Sequence, residues 1–195
     1  MKKKKFNLIE EYKKSWKYIV DSRKFIFLVV VIFLAFAIIG FIFPVPDILK
    51  QQILDFMKRL VEETKDLSQI KLILYIISNN VQSSFIGILF GFLYGVFPMG
   101  AVIINGYILG FVASMSVQSV GYSSLWKILP HGIFELPAIF ISLGLGIKFG
   151  TFAFQKNKMD SFKEYLINSL KVFLLIVIPL LIVAGIIEGS LMFLY

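Results

Sequence analysis

The sequence contains no cysteine and one histidine, His131. The lack of cysteine excludes disulfides, thiolate metal sites and cysteine nucleophiles. The common catalytic motifs are also missing, because the chain has no H-E-x-x-H, no G-x-S-x-G and no phosphate-binding P-loop. These absences favour a non-enzymatic protein without deciding the question, and they predict no cofactor.

Charged residues are scarce, at 16% of the chain, whereas 58% of the residues are hydrophobic. A soluble core of this size could not bury that much apolar surface, but a bilayer with a hydrocarbon layer of roughly 30 Å could cover it. The predicted fold class is therefore all-α, a polytopic transmembrane helical bundle of about five spans. In such a protein the net charge of +8 indicates contact with anionic lipid head groups, not with nucleic acid.

Hydropathy and helical periodicity divide this single membrane domain of residues 1–195 into seven segments. The predicted segments are a basic interfacial helix over 1–24, span one over 25–43, an external amphipathic helix over 47–68, and core spans over 78–97, 99–117, 129–148 and 170–195. Span two is predicted to begin near Ser78, after a short approach segment, because polar residues interrupt the apolar run there. Pro98 is predicted to form the turn into span three.

The distribution of basic residues predicts the orientation of the bundle. Lysine and arginine number nine before span one, five between spans one and two, one between spans three and four, and five between the last two spans. The first and last groups share one side of the membrane. The positive-inside rule then predicts a cytoplasmic N-terminus and an external C-terminus in the cell membrane.

Glycines recur at a spacing of four residues in every span except the first. Such glycines lie on one helix face and allow two backbones to approach closely. The glycines with this predicted packing role are Gly87, Gly91 and Gly95, Gly106 and Gly110, Gly146 and Gly150, and Gly185 and Gly189. The pattern predicts a four-helix core of spans two to five, with span one on its lipid-facing side.

Ionisable side chains inside membrane spans are costly and are therefore candidates for function. His131 and Glu135 are four residues apart and share a helix face, and Glu188 lies in the last span. Depth along the helices predicts that this polar cluster lies in the outer half of the bundle, with the exception of Asn105. The cluster consists of His131, Glu135, Glu188, Asn79, Asn80 and, nearer the inner side, Asn105.

Three interpretations of this cluster remain open from the residues alone. It is a structural hydrogen-bond network that fixes the helix register, a relay for protons or ions, or a metal site. His131, Glu135 and Glu188 are weak candidates for metal ligands, since one histidine and two carboxylates can bind a divalent cation but H-x-x-x-E is not specific.

The sequence resembles the stage II sporulation protein M family of integral membrane proteins over nearly its whole length. The residues that carry the resemblance are Ser15-Trp16-Lys17-Tyr18-Ile19 with Ser22-Arg23, Asn79-Asn80 with Gly87 and Gly91, Asn105-Gly106 with Gly110, the block Pro130-His-Gly-Ile-Phe-Glu-Leu-Pro-Ala138, and Glu188. The histidine–glutamate block is the most specific of these.

This resemblance implies a multi-pass protein with no established enzymatic activity, which scaffolds or recruits components of a membrane complex. Protein partners or a homo-oligomer are expected on that basis. The alternative function, suggested by the buried carboxylates, is a proton- or ion-coupled channel or transporter that uses His131, Glu135 and Glu188.

Overall fold

The computed structural model of the chain describes residues 7–43 and 47–194, apart from the side chains of residues 126–131, 134, 193 and 194. Residues 1–6 of the predicted basic helix and the last residue of the predicted fifth span lie outside this description. Every regular element in the described part of the chain is helical, and no strand occurs there. The predicted all-α fold class is confirmed.

Eight α-helices follow one another through residues 7–43 and 47–194, and the predicted number of spans is confirmed. The helices are α1 (Leu8–Asp21), α2 (Arg23–Ile42), α3 (Asp47–Thr64), α4 (Gln69–Leu89), α5 (Val96–Val120), α6 (Leu125–Gly150), α7 (Lys158–Val172) and α8 (Ile178–Leu194). Five described segments are long and apolar enough to cross a membrane: Arg23–Ile42, Gln69–Phe92, Val96–Val120, Glu135–Phe154 and Lys158–Met192.

The spans alternate in direction, which gives the bundle two distinct ends. Helices α2 and α5 run parallel, and so do α4 and α6. Helices α4 and α8 run antiparallel, because Gly185 lies against Ile77 and Gly189 lies against Ile73. Helices α1 and α7 pack together at one end, which we call the α1 end. Helix α3 lies at the other end, which we call the α3 end.

Helix α4 begins at Gln69, earlier than the start predicted near Ser78, and it ends before the predicted boundary. The chain reverses at Tyr94 and Gly95, which have left-handed φ values of 55° and 72°, a conformation that favours glycine. Pro98, predicted to make this turn, lies instead in the first turn of α5. Its missing N–H leaves no hydrogen bond unmade there, because the first-turn amides have no partner within the helix.

Helix α6 also begins earlier than predicted, at Leu125. Glu135 consequently lies ten residues into the helix, or about 15 Å along its axis at 1.5 Å per residue, not the 9 Å or so expected from the predicted start. Glu135 therefore lies further along α6 than the predicted start of the span implies.

The last span continues from the amphipathic helix α7 through a π-helical turn over Phe173–Val177 into α8. Pro179 has no N–H to donate to the carbonyl four residues earlier, and a widened turn at that point is a common response to such a gap. The turn lets one continuous segment pack on α1 at its start and on α4 at its end.

Several glycines occupy positions where two helices are too close for a side chain. A Cβ on Gly91 would overlap the backbone of Gly146, and one on Gly110 would overlap the backbone of Ala37 in α2. The glycines of α5 thus face the first span, which the sequence placed outside a four-helix core. Helix α2 packs closely along α5, although it is the span with the smallest buried share, 17%.

Candidate functional site

A polar cavity of about 800 Å³ lies between α3, α4, α5 and α6 towards the α3 end. Its polar lining comes from α4, α5 and α6, with additional side chains from α3 at its mouth. The polar lining residues are Asn79, Asn80, Ser83 and Ser84 of α4, Asn105 of α5 and Glu135 of α6, together with Tyr75, Arg59 and Glu63. We call this cavity the polar chamber.

The polar chamber explains why α4 tolerates a run of polar residues within a span. Ser84 is buried, and Asn80 is partly buried, on the face of α4 that borders the chamber. These two side chains have polar surroundings, so α4 continues through the polar residues that were predicted to delay its start.

Helix α3 covers the mouth of the polar chamber. The Tyr75 hydroxyl donates a hydrogen bond of 2.8 Å to Oε2 of Glu63, and this bond links α3 to α4. Ile53 of α3 is buried, at 5% exposure, whereas Ile48 and Val61 of the same helix are 76% and 62% exposed. Contacts between α3 and the other helices are otherwise sparse.

Glu135 and Glu188 lie close together across the α6–α8 interface, near enough for a hydrogen bond between their carboxyl groups. Such a bond requires one of the two carboxyl groups to be protonated, because an ionised carboxylate is only an acceptor. The pair therefore carries at most one negative charge while this bond exists. Both residues belong to the polar cluster predicted from the sequence, and they are neighbours in the structure.

Asn105, predicted to lie nearer the inner side than the rest of the polar cluster, is also a lining residue of the polar chamber. It lines the same chamber as Glu135, and its Nδ2 donates a hydrogen bond of 2.8 Å to the carbonyl oxygen of Ala101. Asn105 thus lines one cavity with Glu135, and its predicted place nearer the inner side stays a prediction.

The backbone of His131 belongs to α6, one turn before Glu135, but its side chain lies outside the described residues. Among the described side chains, no group of three or more histidine, cysteine, aspartate or glutamate residues is arranged to bind a metal. The metal-site interpretation, which depends on His131, stays a prediction.

A second cavity, of about 750 Å³, lies between α5 and α6 and is almost entirely apolar. Its apolar lining includes Phe33, Leu109, Val112, Ala113, Leu136 and Ile139, and its polar side chains are Asn105 and Glu135. We call it the apolar groove. Three residues, Asn105, Glu135 and Ile139, line both the groove and the polar chamber.

A polar cluster at the α1 end was not identified as a site from the sequence. Lys148 Nζ donates a hydrogen bond of 2.9 Å to Ser22 Oγ and lies 3.8 Å from the centroid of the Tyr18 ring. Burial raises the pKa of the Tyr18 hydroxyl above its usual value. The cluster fixes the end of α6 against the junction of α1 and α2. The sequence feature that could have indicated this cluster is the Ser15–Arg23 segment, which carries part of the family resemblance.

An ion pair strengthens the same end of the bundle. Glu11 Oε2 lies 2.5 Å from Lys171 Nζ, and its Oε1 lies 2.9 Å from Lys14 Nζ. The hydrogen bonds from Lys171 and then Lys14 lower the pKa of Glu11 from 4.5 to about 2. Glu11 therefore stays ionised and links α1 to α7 across a long sequence separation.

Five membrane-capable helices, with an amphipathic helix at each end of the bundle, define a multi-pass α-helical membrane protein. Within that class the chain belongs to the stage II sporulation protein M family, whose model matches residues 29–191. The resemblance inferred from the sequence is confirmed. This membership does not favour the channel or transporter alternative.

One curated relative is an uncharacterized protein of Methanocaldococcus jannaschii. It is 37% identical over 109 residues, an alignment that covers 52% of this chain and 49% of the relative. The chain thus spans about half the length of this curated relative. No solved structure matches the chain.

Proposed function

We propose that the protein is a non-enzymatic component of a membrane complex that scaffolds or recruits protein partners. The observation that carries this proposal is a row of exposed apolar and aromatic side chains on α1, a helix that is itself fixed to the bundle. The members of the row, with their exposed fractions, are Ile9 (69%), Tyr12 (48%), Trp16 (55%) and Val20 (44%).

The row lies on one side of α1 because its members are three or four residues apart. The other side of the helix is held in place, since Glu11 pairs with Lys171 and Tyr18 packs against Lys148. A surface that is ordered before binding loses little conformational entropy when a partner docks on it. Large aromatic and apolar side chains on such a surface are typical of sites where proteins bind one another.

The experiment that tests this function measures complex formation in native membranes. We expect the wild-type protein to migrate on native electrophoresis above its monomer mass, as an oligomer or with co-purifying partners. The variant Ile9→Ser/Trp16→Ser should lose most of the larger species, because it removes the two most exposed side chains of the row.

The matched control is Phe27→Ser/Ile38→Ser on α2, whose side chains are 69% and 58% exposed but lie within a span. This control should leave the larger species unchanged. A wild-type protein that migrates only as a monomer, or equal losses in the two double variants, would contradict the proposal.

The proposal includes a location and an orientation. The protein resides in the cell membrane with its N-terminus cytoplasmic, so that α1 lies on the cytoplasmic face beside anionic head groups, and its C-terminus is external. The excess of lysine before span one supports this orientation. Glycine pairs at four-residue spacing determine how the spans pack, which is supported by the close approach of Gly91 to Gly146.

A further inference from the structure

The polar chamber changes in character along its length. Towards the α3 end its walls carry amide and carboxyl groups, including those of Asn79 and Glu135. Towards the α1 end the walls are apolar, because Gly87, Phe97 and Leu143 line the chamber there. A ligand that matches this gradient has a polar end near the mouth of the chamber and an apolar end further in.

Contacts between α4 and α6 give the length of this gradient. Gly87 lies against the side chain of Leu143, so these two residues mark one depth in the chamber. Glu135 precedes Leu143 by eight residues on α6, which places it about 12 Å nearer the α3 end at 1.5 Å per residue. Ser84 precedes Gly87 by three residues on α4, which places it about 4.5 Å nearer that end. Ser84 therefore lies between Glu135 and the apolar part of the chamber.

The Ser84 side chain is a buried hydroxyl group that lines the chamber. It is 3% exposed, and its Oγ forms no hydrogen bond within the part of the chain that the structure describes. Ser142 on α6 differs, because its Oγ donates a hydrogen bond of 2.9 Å to the carbonyl oxygen of Ala138 on the same helix. A buried hydroxyl group without a partner costs free energy. Ser84 thus indicates a polar ligand group at its depth in the chamber.

The charge of the chamber favours a cation. Glu135 and Glu188 lie near enough for a hydrogen bond between their carboxyl groups, and the pair carries one negative charge when one of them is protonated. Among the described residues that line the chamber, Arg59 is the one cationic side chain, and it is exposed on α3. A cationic ligand group beside Glu135 compensates the negative charge. A primary ammonium group also has three N–H donors for the carboxylate and for the amide oxygens of Asn79 and Asn80.

We propose that the polar chamber binds a small organic amine with a primary ammonium group at one end, an apolar group at the other and an oxygen atom between them. The ammonium group pairs with Glu135, and the oxygen atom bonds the Ser84 hydroxyl group. The apolar group lies beside Phe97 and Leu143. The volume of the chamber, about 800 Å³, falls within the range of roughly 300–1,000 Å³ that is common for ligand sites. This amine site goes beyond the scaffold function and does not depend on it.

Three probe molecules separate these features. The first, 4-amino-1-phenylbutan-1-ol, has all three groups, whereas 4-phenylbutylamine lacks the oxygen atom and 1-phenylbutane-1,4-diol has a hydroxyl group in place of the ammonium group. Isothermal titration calorimetry of the protein in lipid nanodiscs, with the heat from empty nanodiscs subtracted, measures saturable binding. We expect the amino alcohol to bind at least tenfold more tightly than the diol and about threefold more tightly than phenylbutylamine. Equal affinities for the amino alcohol and the diol, or no saturable binding of the amino alcohol, would overturn the proposal.

Conservative substitutions test the two polar contacts. Glu135→Gln keeps the size of the side chain and should bring the affinities for the amino alcohol and the diol close together. Ser84→Ala should lower the affinity for the amino alcohol to that for phenylbutylamine. The matched control is Ser142→Ala, since Ser142 is also buried but bonds its own helix and does not line the chamber. The wild-type ratios of affinity in Glu135→Gln or Ser84→Ala would overturn the proposal, and so would equal losses in Ser84→Ala and Ser142→Ala.

The apolar end is tested separately with Ala101→Phe. Ala101 lines the chamber one turn from Phe97 on α5, so the larger side chain fills this part and should reduce binding of all three probes at least tenfold. Ile104→Phe is the matched control, since Ile104 lies on the same helix, is 59% exposed and lines neither cavity. Circular dichroism establishes that each variant is folded. Undiminished binding by folded Ala101→Phe would overturn the proposed site, and so would equal losses in Ala101→Phe and Ile104→Phe.

Discussion

The ammonium group of Lys148 lies 3.8 Å from the centroid of the Tyr18 ring, so the last turns of α6 are joined to α1. Lys148 also donates a hydrogen bond to Ser22 Oγ, between α1 and α2. One lysine thus contacts both α1 and the residue that joins α1 to α2. Its charge is stabilised by an aromatic face and a hydroxyl group in a partly buried position.

We predict that Lys148→Met lowers the free energy of unfolding by about 2 kcal/mol, which combines a charged hydrogen bond with a cation–π contact. The methionine keeps the apolar stem of the side chain, so the loss reports the ammonium group. Unfolding by sodium dodecyl sulfate, followed by circular dichroism, measures the change. The control Lys156→Met alters an exposed lysine and should leave the free energy unchanged. A similar stability for both variants would contradict this role of Lys148.

The ion pair of Glu11 with Lys171 predicts a dependence of α1 docking on pH. The pKa of Glu11 falls from 4.5 to about 2 when the bundle is folded, so the carboxylate stabilises docking above pH 4.5. This contribution decreases as the pH falls from about 4.5 to about 2. Spin labels on Lys13→Cys and Lys163→Cys, in a chain with no other cysteine, report the distance between α1 and α7.

We expect this distance distribution to broaden progressively below pH 4.5 in the wild-type background. In Glu11→Gln the distribution should already be broad at pH 7 and should change little on acidification. A wild-type distribution that is constant down to pH 2 would show that the ion pair does not hold α1 in place.

Gly110 provides a test of the close packing between α2 and α5. A Cβ at this position would overlap the backbone of Ala37, so Gly110→Ala should force the helices apart and cost about 1–3 kcal/mol. Gly100→Ala on the same helix is the matched control, because a Cβ there meets no atom within 4 Å. Stability in detergent should fall for Gly110→Ala alone. An equal effect of the two substitutions would indicate that only the backbone preference of glycine matters.

Local composition was sufficient to predict the class of fold. Twenty-residue apolar runs such as the one in Arg23–Ile42 predict a span by length alone, and helical spacing on α1 and α3 predicted the two amphipathic helices. The boundaries of α4 were not predictable in this way, because Asn79 and Asn80 interrupt the apolar run. Only the tertiary structure shows that these side chains line a chamber.

The candidate site was predictable in its members but not in its geometry. Glu135 and Glu188 could be identified from the sequence alone, because a charged residue inside a membrane span is costly. The start of α6, which the sequence placed too late, and the cavity that Glu135 shares with Asn105 both depend on the tertiary structure. The Lys148–Tyr18 contact joins residues far apart in the chain and follows from no local pattern.

The proposed orientation predicts which loops can be labelled from outside the cell. Asn157→Cys lies between α6 and α7 at the α1 end, and Ser123→Cys lies between α5 and α6 at the α3 end. Neither substitution changes the number of basic residues. A membrane-impermeant maleimide on intact cells should modify Ser123→Cys, whereas Asn157→Cys should react only after permeabilisation. The reverse pattern would show that the N-terminus is external.

The hydrogen bond from Tyr75 to Glu63 predicts how firmly α3 covers the polar chamber. Tyr75→Phe removes this 2.8 Å bond and keeps the ring, so the covered state should lose about 1 kcal/mol, or roughly fivefold in population. Ser84 lines the chamber and is 3% exposed. The rate at which a water-soluble maleimide modifies Ser84→Cys should therefore rise several-fold in the Tyr75→Phe background.

Two controls separate this effect from a general loosening of the bundle. Tyr122→Phe alters a tyrosine that is 74% exposed at the same end of the bundle and should leave the rate at Ser84→Cys unchanged. Ser119→Cys is exposed outside the chamber and should react equally fast with or without Tyr75→Phe. If Tyr75→Phe leaves the rate at Ser84→Cys unaltered, α3 is held over the chamber by its apolar contacts, such as that of buried Ile53, and not by this bond.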